Sequence, residues 1–235
     1  MTETVKISTL AGVESFNAYV ARPKNEPLAA IVVIQEIFGV NSGIRSKCDK
    51  WAEAGYLAIA PDLFHRMKPN IQLDPDIETE FQEALGYFGE YDPSDGVSDI
   101  AAATSWARQE VGGGMVGCVG YCLGGRLAYM AACRTDIDAA VGYYGVMIDQ
   151  MLDEKDKISK PLLLHIPTAD HFVSPEAQAA IHAALDDHPK AVIFDYAGLD
   201  HGFATEAGDR RDEDGAILAD QRTEAFFADS LRGDV

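Results

Sequence analysis

Basic residues are scarce. Lysine and arginine together number 19 against 38 aspartates and glutamates, a formal net charge of −19. A surface that lopsided repels polyanions, so neither nucleic acid nor an anionic membrane is expected as a partner. Long apolar runs are also missing, none approaching the roughly 18 residues that a membrane-spanning helix requires. The opening Met1-Thr-Glu-Thr-Val-Lys has neither a basic start nor an apolar core, so no secretion signal is expected and a cytoplasmic location is. Cysteines are few, four in 235 residues, and none form a CxxC pair. Cys118 and Cys122 have no further thiol or imidazole close by in sequence, so thiols are expected rather than disulfides, and no metal or other cofactor. No linker, repeat or low-complexity tract divides the chain, and a single domain over residues 1–235 is expected.

The chain does hold ample material for a core, 47 % hydrophobic residues, enough at this length to fold without staples. Val5–Leu10 and Ser15–Ala21 alternate around Ala11-Gly12 and predict an antiparallel hairpin. Continuous short apolar runs follow at Ala29–Ile34, Tyr56–Ala60, Met115–Val119, Ala139–Tyr144, Pro161–Ile166 and Ala191–Tyr196. Such runs suit strands covered on both faces. Between them fall helical patterns at Ile44–Ala54, Val97–Gln109, Leu123–Cys133, Ser174–Leu185 and Gly215–Leu231. Strand alternating with helix predicts an α/β fold, a mostly parallel sheet with helices on both faces. Pro69–Asp95 is irregular and acidic, with room for a short helix at Ile77–Phe88, and reads as a lid, a binding loop or a disordered segment rather than a plain connection.

The strongest chemical signal is Gly120-Tyr121-Cys122-Leu123-Gly124-Gly125, directly after the run Met115–Val119 and at the start of a helix. This is the G-x-nucleophile-x-G pattern of a strand-to-helix elbow, with cysteine at the nucleophile position. A turn sharp enough to lift Cys122 clear of the sheet crowds the residues two before and two after it, hence glycine at both. The helix N-terminus then favours the thiolate. The triad partners of such an elbow follow in the order acid, histidine. Asp170 comes just past Pro161–Ile166 and His201 just past Ala191–Tyr196, both at the carboxyl edge of a parallel sheet, where open α/β folds gather reactive groups. His171, next to Asp170, is the weaker rival. After Ala29–Ile34 comes Gln35-Glu36-Ile37-Phe38-Gly39, the connection that supplies one oxyanion-hole N–H, the other coming from the residue after the nucleophile. Ile37 and Leu123 are therefore the expected backbone donors. Glu36 is out of place beside a site for negative charge: it either pairs with a cation or acts as a base for the thiol.

Taken together, the elbow, Gln35–Gly39, Tyr56–Phe64, Gly142-Tyr143-Tyr144-Gly145, Asp170-His171-Phe172-Val173 and His201-Gly202-Phe203 resemble the dienelactone hydrolase (carboxymethylenebutenolidase) family from about Val5 to Leu231. The resemblance implies an α/β-hydrolase fold without a large cap, a Cys122–His201–Asp170 triad, a glutamate at Glu36 that activates the thiol, and hydrolysis of a lactone through a thioester. Family members acting on the anionic dienelactone hold its carboxylate with two arginines; the matching positions here are Phe81 and Thr205, and no lysine or arginine occurs from Asn70 to Ser105. A small-molecule lactone or ester less anionic than dienelactone is therefore expected, with Phe38, Phe81, Leu85, Phe88, Tyr143 and Phe203 lining its pocket. A carboxylesterase or thioesterase is the alternative, and a non-catalytic ligand-binding relative a more distant one. The oligomeric state is left open, a monomer included.

Overall fold

Residues 1–206 and 208–231 are described by a computed structural model. The opening hairpin forms as β1 (Thr2–Ser8) and β2 (Ser15–Ala21), with Ile7 opposite Phe16. β1 starts earlier than its apolar pattern because Thr2–Thr4 complete the ladder against Tyr19–Ala21. The buried strands follow: β3 (Ala30–Ile34), β4 (Leu57–Pro61), β5 (Val116–Tyr121), β6 (Ala139–Tyr143), β7 (Leu162–Pro167) and the half-buried edge strand β8 (Ala191–Tyr196). They build one eight-stranded sheet in the order β1-β2-β4-β3-β5-β6-β7-β8. β1 and β2 pair antiparallel, as do β2 and β4, and every other pairing is parallel. This is the α/β-hydrolase fold.

Strand alternation decides which side chains go to which face. Along β3, Ile31 and Val33 enter the cluster holding Trp51, Val141 and Phe227, while Ala30, Val32 and Ile34 enter the one holding Ile100, Leu127 and Tyr129. The first cluster is roofed by α1 (Ser42–Glu53) and the closing helix α6 (Glu213–Ser230), the second by α3 (Pro93–Glu110) and α4 (Leu123–Arg134). Each fully buried Leu, Ile or Phe contributes on the order of 1.5–3 kcal/mol. Two faces filled this way hold the strand ends, and the loops on them, in place.

Caps fix the helix starts. Asn41 accepts the Ile44 N–H at 3.2 Å to open α1, and Ser174 accepts that of Ala177 at 3.2 Å to open α5 (Pro175–Leu185). α3 begins at Pro93 rather than near Val97, because Asp92 caps the Ser94 N–H at 2.8 Å and the proline ring presets the first helical φ. The irregular segment carries α2 (Glu78–Glu90), whose one buried residue is Ala84. The base of that segment is stitched to the Glu36 loop: Gly39 bridges Gln72, and the Leu73 N–H donates to the Phe38 carbonyl at 2.9 Å. A 3-10 segment, Ile148–Lys157, follows β6. Among the described residues no helix is long and apolar enough to cross a membrane.

Candidate active site

Cys122 stands between β5 and α4 with φ 55° and ψ −113°, a backbone conformation that costs a non-glycine residue about 1–3 kcal/mol. Its surroundings leave it little alternative. The Cys122 N–H donates to the Tyr143 carbonyl at 3.1 Å, and its own carbonyl accepts from the Arg126 N–H at 3.2 Å. A methyl on Gly120 would overlap the Gly124 carbonyl, and one on Gly124 would sit 2.5 Å from the Ile34 oxygen. The two glycines of the motif thus face each other and β3, as the steric argument from spacing requires. The sulfur is half-buried and opens to a cleft. Cys48, Cys118 and Cys133 are buried, and burial pushes their thiols up, Cys118 to about 12 and Cys133 to about 11.

His201 and Asp170 meet. The imidazole Nδ1 lies 2.9 Å from Asp170 Oδ2 and 3.1 Å from Oδ1, with both residues buried. Asp170 Oδ1 also accepts the Phe172 and Val173 N–H groups at 2.8 and 3.2 Å, so the carboxylate is fixed by its own turn. Nε2, the far side of the ring, is buried with no hydrogen-bond partner among the described residues, and His201 lines the cleft with Cys122. Rings of Tyr144 and Phe172 flank the imidazole at 4.9 and 4.8 Å. Burial alone would lower the His201 pKa; Cys122 and Asp170 outweigh it and raise it from 6.5 to about 10. The rival His171 is exposed and pairs with Asp200 at 2.7 Å.

Glu36 lines the cleft beside Cys122. Burial pushes its carboxyl up, while His201, Lys47, Tyr144 and Arg210 favour its ionised form. Gln35, to which the sequence assigned no task, clamps this loop from below: its side chain accepts the Leu63 N–H at 3.1 Å and donates to the Glu36 carbonyl at 3.3 Å. Beneath the site, buried Lys47 lies 4.3 Å above the Tyr121 ring and 3.6 Å from Glu206. Glu206 also holds Lys50 at 2.7 Å and Arg211 at 3.0 Å, tying the segment after His201 to α1.

Residues 16–231 match the family model described as "Dienelactone hydrolase family". The chain belongs to that family. With it, the protein is a hydrolase. It is 40 % identical over 228 residues to a candidate carboxymethylenebutenolidase of Azospirillum brasilense, covering 92 % of this chain and 94 % of the other. Identity to the carboxymethylenebutenolidase of Pseudomonas putida is 36 % over 229 residues, 97 % of each. The crystal structure of a candidate dienelactone hydrolase from Klebsiella pneumoniae superposes with a TM-score of 0.82 at 30 % identity, over 97 % of this chain and 99 % of that one.

The cleft of this dienelactone hydrolase family member has an empty volume of about 440 Å³, its open mouth included, and is mainly apolar. Ile37 and Phe38 line it from the Glu36 loop, and Phe81, Leu85 and Phe88 from α2. Leu123 is buried at the first position of α4, where a backbone N–H has no partner within the helix. Two expected pocket residues are elsewhere. Tyr143 ends β6 on the face turned to α6, where its hydroxyl meets Thr223 at 2.6 Å and donates to Asp220 at 3.0 Å. Phe203 turns inward after Gly202 and packs on Tyr196 and Tyr144, with ring centroids 4.7 and 5.7 Å apart. In their place Val146, Phe172 and Arg210 line the cleft. Arg210 corrects the expectation of a lining without cationic charge: its guanidinium lies 5.2 Å from the Phe81 ring centroid, its stem passing over Gly202. A loop that doubles back this far past the histidine has no local sequence signature.

Proposed function

We propose that the protein hydrolyses a small lactone or ester by covalent catalysis at Cys122, within one hydrolase domain. The observation that carries this reading is a strained cysteine at a helix start sharing a cleft with an imidazole whose Nδ1 is held by a carboxylate.

Glu36 takes the Sγ proton and becomes a neutral acid, and the thiolate attacks the carbonyl carbon. The oxyanion is received by the Ile37 and Leu123 N–H groups. Collapse breaks the ester C–O bond, leaves a thioester on Cys122, and passes a proton from the His201 imidazolium to the leaving oxygen; in a lactone that oxygen stays tethered. His201, held by Asp170 on its other nitrogen, is the proton source for this step. The imidazole, now neutral, deprotonates water, and hydroxide attacks the thioester. The thiolate leaves and recovers its proton from Glu36, so every group ends as it began. Asp170 fixes the ring and its tautomer throughout.

An apolar cleft with one guanidinium among its described residues suits a substrate with a hydrocarbon body and at most one carboxylate, less anion-directed than a site with two arginines. The test compares wild type with Cys122→Ala on p-nitrophenyl acetate and on cis-dienelactone, with mass spectrometry of quenched turnover to find an acyl group on Cys122. Undiminished turnover by the variant removes the proposed nucleophile. The apolar lining also favours a second reading, a general carboxylesterase or thioesterase; kcat/KM higher on aryl esters or acyl thioesters than on the lactone would select it.

A further inference from the structure

Tyr144 stands out next to the nucleophile. Tyr121 and Tyr143 are partners in the β5–β6 register, so the residues that follow them, Cys122 and Tyr144, leave the sheet side by side. Tyr144 has φ 39°, an unfavourable conformation for an aromatic residue. It is held there by its N–H, which donates to the His165 carbonyl at 2.9 Å. The bend turns the side chain inward, its ring against His201. The phenol is 1 % exposed overall, yet its hydroxyl is buried without a hydrogen-bond partner among the described residues. Tyr143, one residue earlier, places its hydroxyl against Thr223 and Asp220. An unpaired buried hydroxyl is costly, and is retained where its partner arrives only at some stage of function.

Glu36, Tyr121, Cys122 and Tyr143 act on that hydroxyl, and Glu36 and Cys122 among them are the two groups of the first proton transfer. Burial keeps the phenol well above its usual 10, so it acts as a donor at any working pH. The hydroxyl favours ionised Glu36 but falls short of a hydrogen bond to it in the resting geometry. We propose that Tyr144 is a positioning residue for thiol activation: when substrate enters, its hydroxyl donates to the Glu36 carboxylate, holding it ionised and aimed at the Cys122 thiol. This rests on the reading of Glu36 as the base. Without the phenol, Glu36 would keep His201, Lys47 and Arg210 as its favourable neighbours and lose its one neutral donor among them.

The experiment measures the pH dependence of single-turnover acylation by p-nitrophenyl acetate in wild type, Tyr144→Phe and Glu36→Gln. In Tyr144→Phe the acid limb should move up by about one pH unit, a roughly tenfold slower acylation on its acid side that closes toward alkaline pH. KM for the neutral ester should be unchanged, and thermal stability unchanged or higher, since an unpaired hydroxyl has been removed from a buried site. An unmoved limb, an equal loss at every pH, or a drop in stability would overturn the role given to Tyr144. Glu36→Gln separates the two levels. If it abolishes the limb while Tyr144→Phe leaves it in place, Tyr144 alone is excluded; if the limb survives Glu36→Gln, the base assignment itself fails and the role of Tyr144 with it.

Discussion

The two walls of the cleft are built differently. The sheet-edge wall consists of Cys122, His201 and the Glu36 loop, each at or just past the end of a strand and each held by named contacts: Tyr143 carbonyl to Cys122, Asp170 to His201, Gln35 to Leu63. The opposite wall is α2, with one buried residue and with Leu85 36 % exposed, and with Phe172 and Arg210 projecting from loops. One wall is over-determined by the core, while the other rests on it through Ala84 and the partly buried rings of Phe81, Tyr87 and Phe88. A fold arranged this way can keep its chemistry and exchange its substrate, because the second wall bears less of the packing.

That contrast can be broken or sharpened by substitution. On the rigid wall, Cys122→Ala should lower kcat on any accepted ester by on the order of 10⁴-fold or more, with the melting temperature almost unchanged. Asp170→Asn should come next, with a loss of roughly 10³–10⁴-fold, because the imidazole loses the carboxylate that sets its tautomer. On the second wall, Arg210→Met should raise KM for a carboxylated lactone by about 10- to 100-fold and leave a neutral ester unaffected. Equal effects on both substrates would mean that the guanidinium serves the loop rather than the ligand. Phe81→Ala should cost a few-fold in KM, little in kcat and under about 1 kcal/mol in stability, since the ring is only half-buried.

A further expected effect is one of pH. His201 has its pKa raised in the folded state, so its contribution to stability is complete below 6.5 and disappears as pH rises toward about 10. The urea midpoint of wild type relative to His201→Gln should therefore be flat below pH 6.5 and fall between 6.5 and 10. A difference growing with pH over that range would reverse the assignment.

The same contrast explains what the sequence could show. Cys122, Asp170 and His201 each follow a strand-length apolar run, and strand direction alone brings such positions to one edge, so their meeting was legible in the chain. The elbow glycines were legible too, because a steric requirement at fixed spacing leaves a pattern. The second wall left no such trace. Tyr143 and Phe203 were expected in the cleft as aromatics near reactive residues, but a single step of strand alternation or one turn at Gly202 sends a ring to the opposite side. Arg210 arrives by a loop whose course is set by contacts such as Glu206 with Lys50, distant in sequence and unmarked by periodicity. Asp92-Pro93 did carry a helix-start signal, obscured by the irregular composition around it.

Of the chain's four sulfhydryl groups, three are buried and one opens onto the cleft. The protein therefore comes supplied with a unique attachment point. A bulky maleimide dye offered to the native fold should mark position 122 and leave 48, 118 and 133 untouched until denaturant is added, so that a single reagent reports both occupancy of the cleft and loss of the fold.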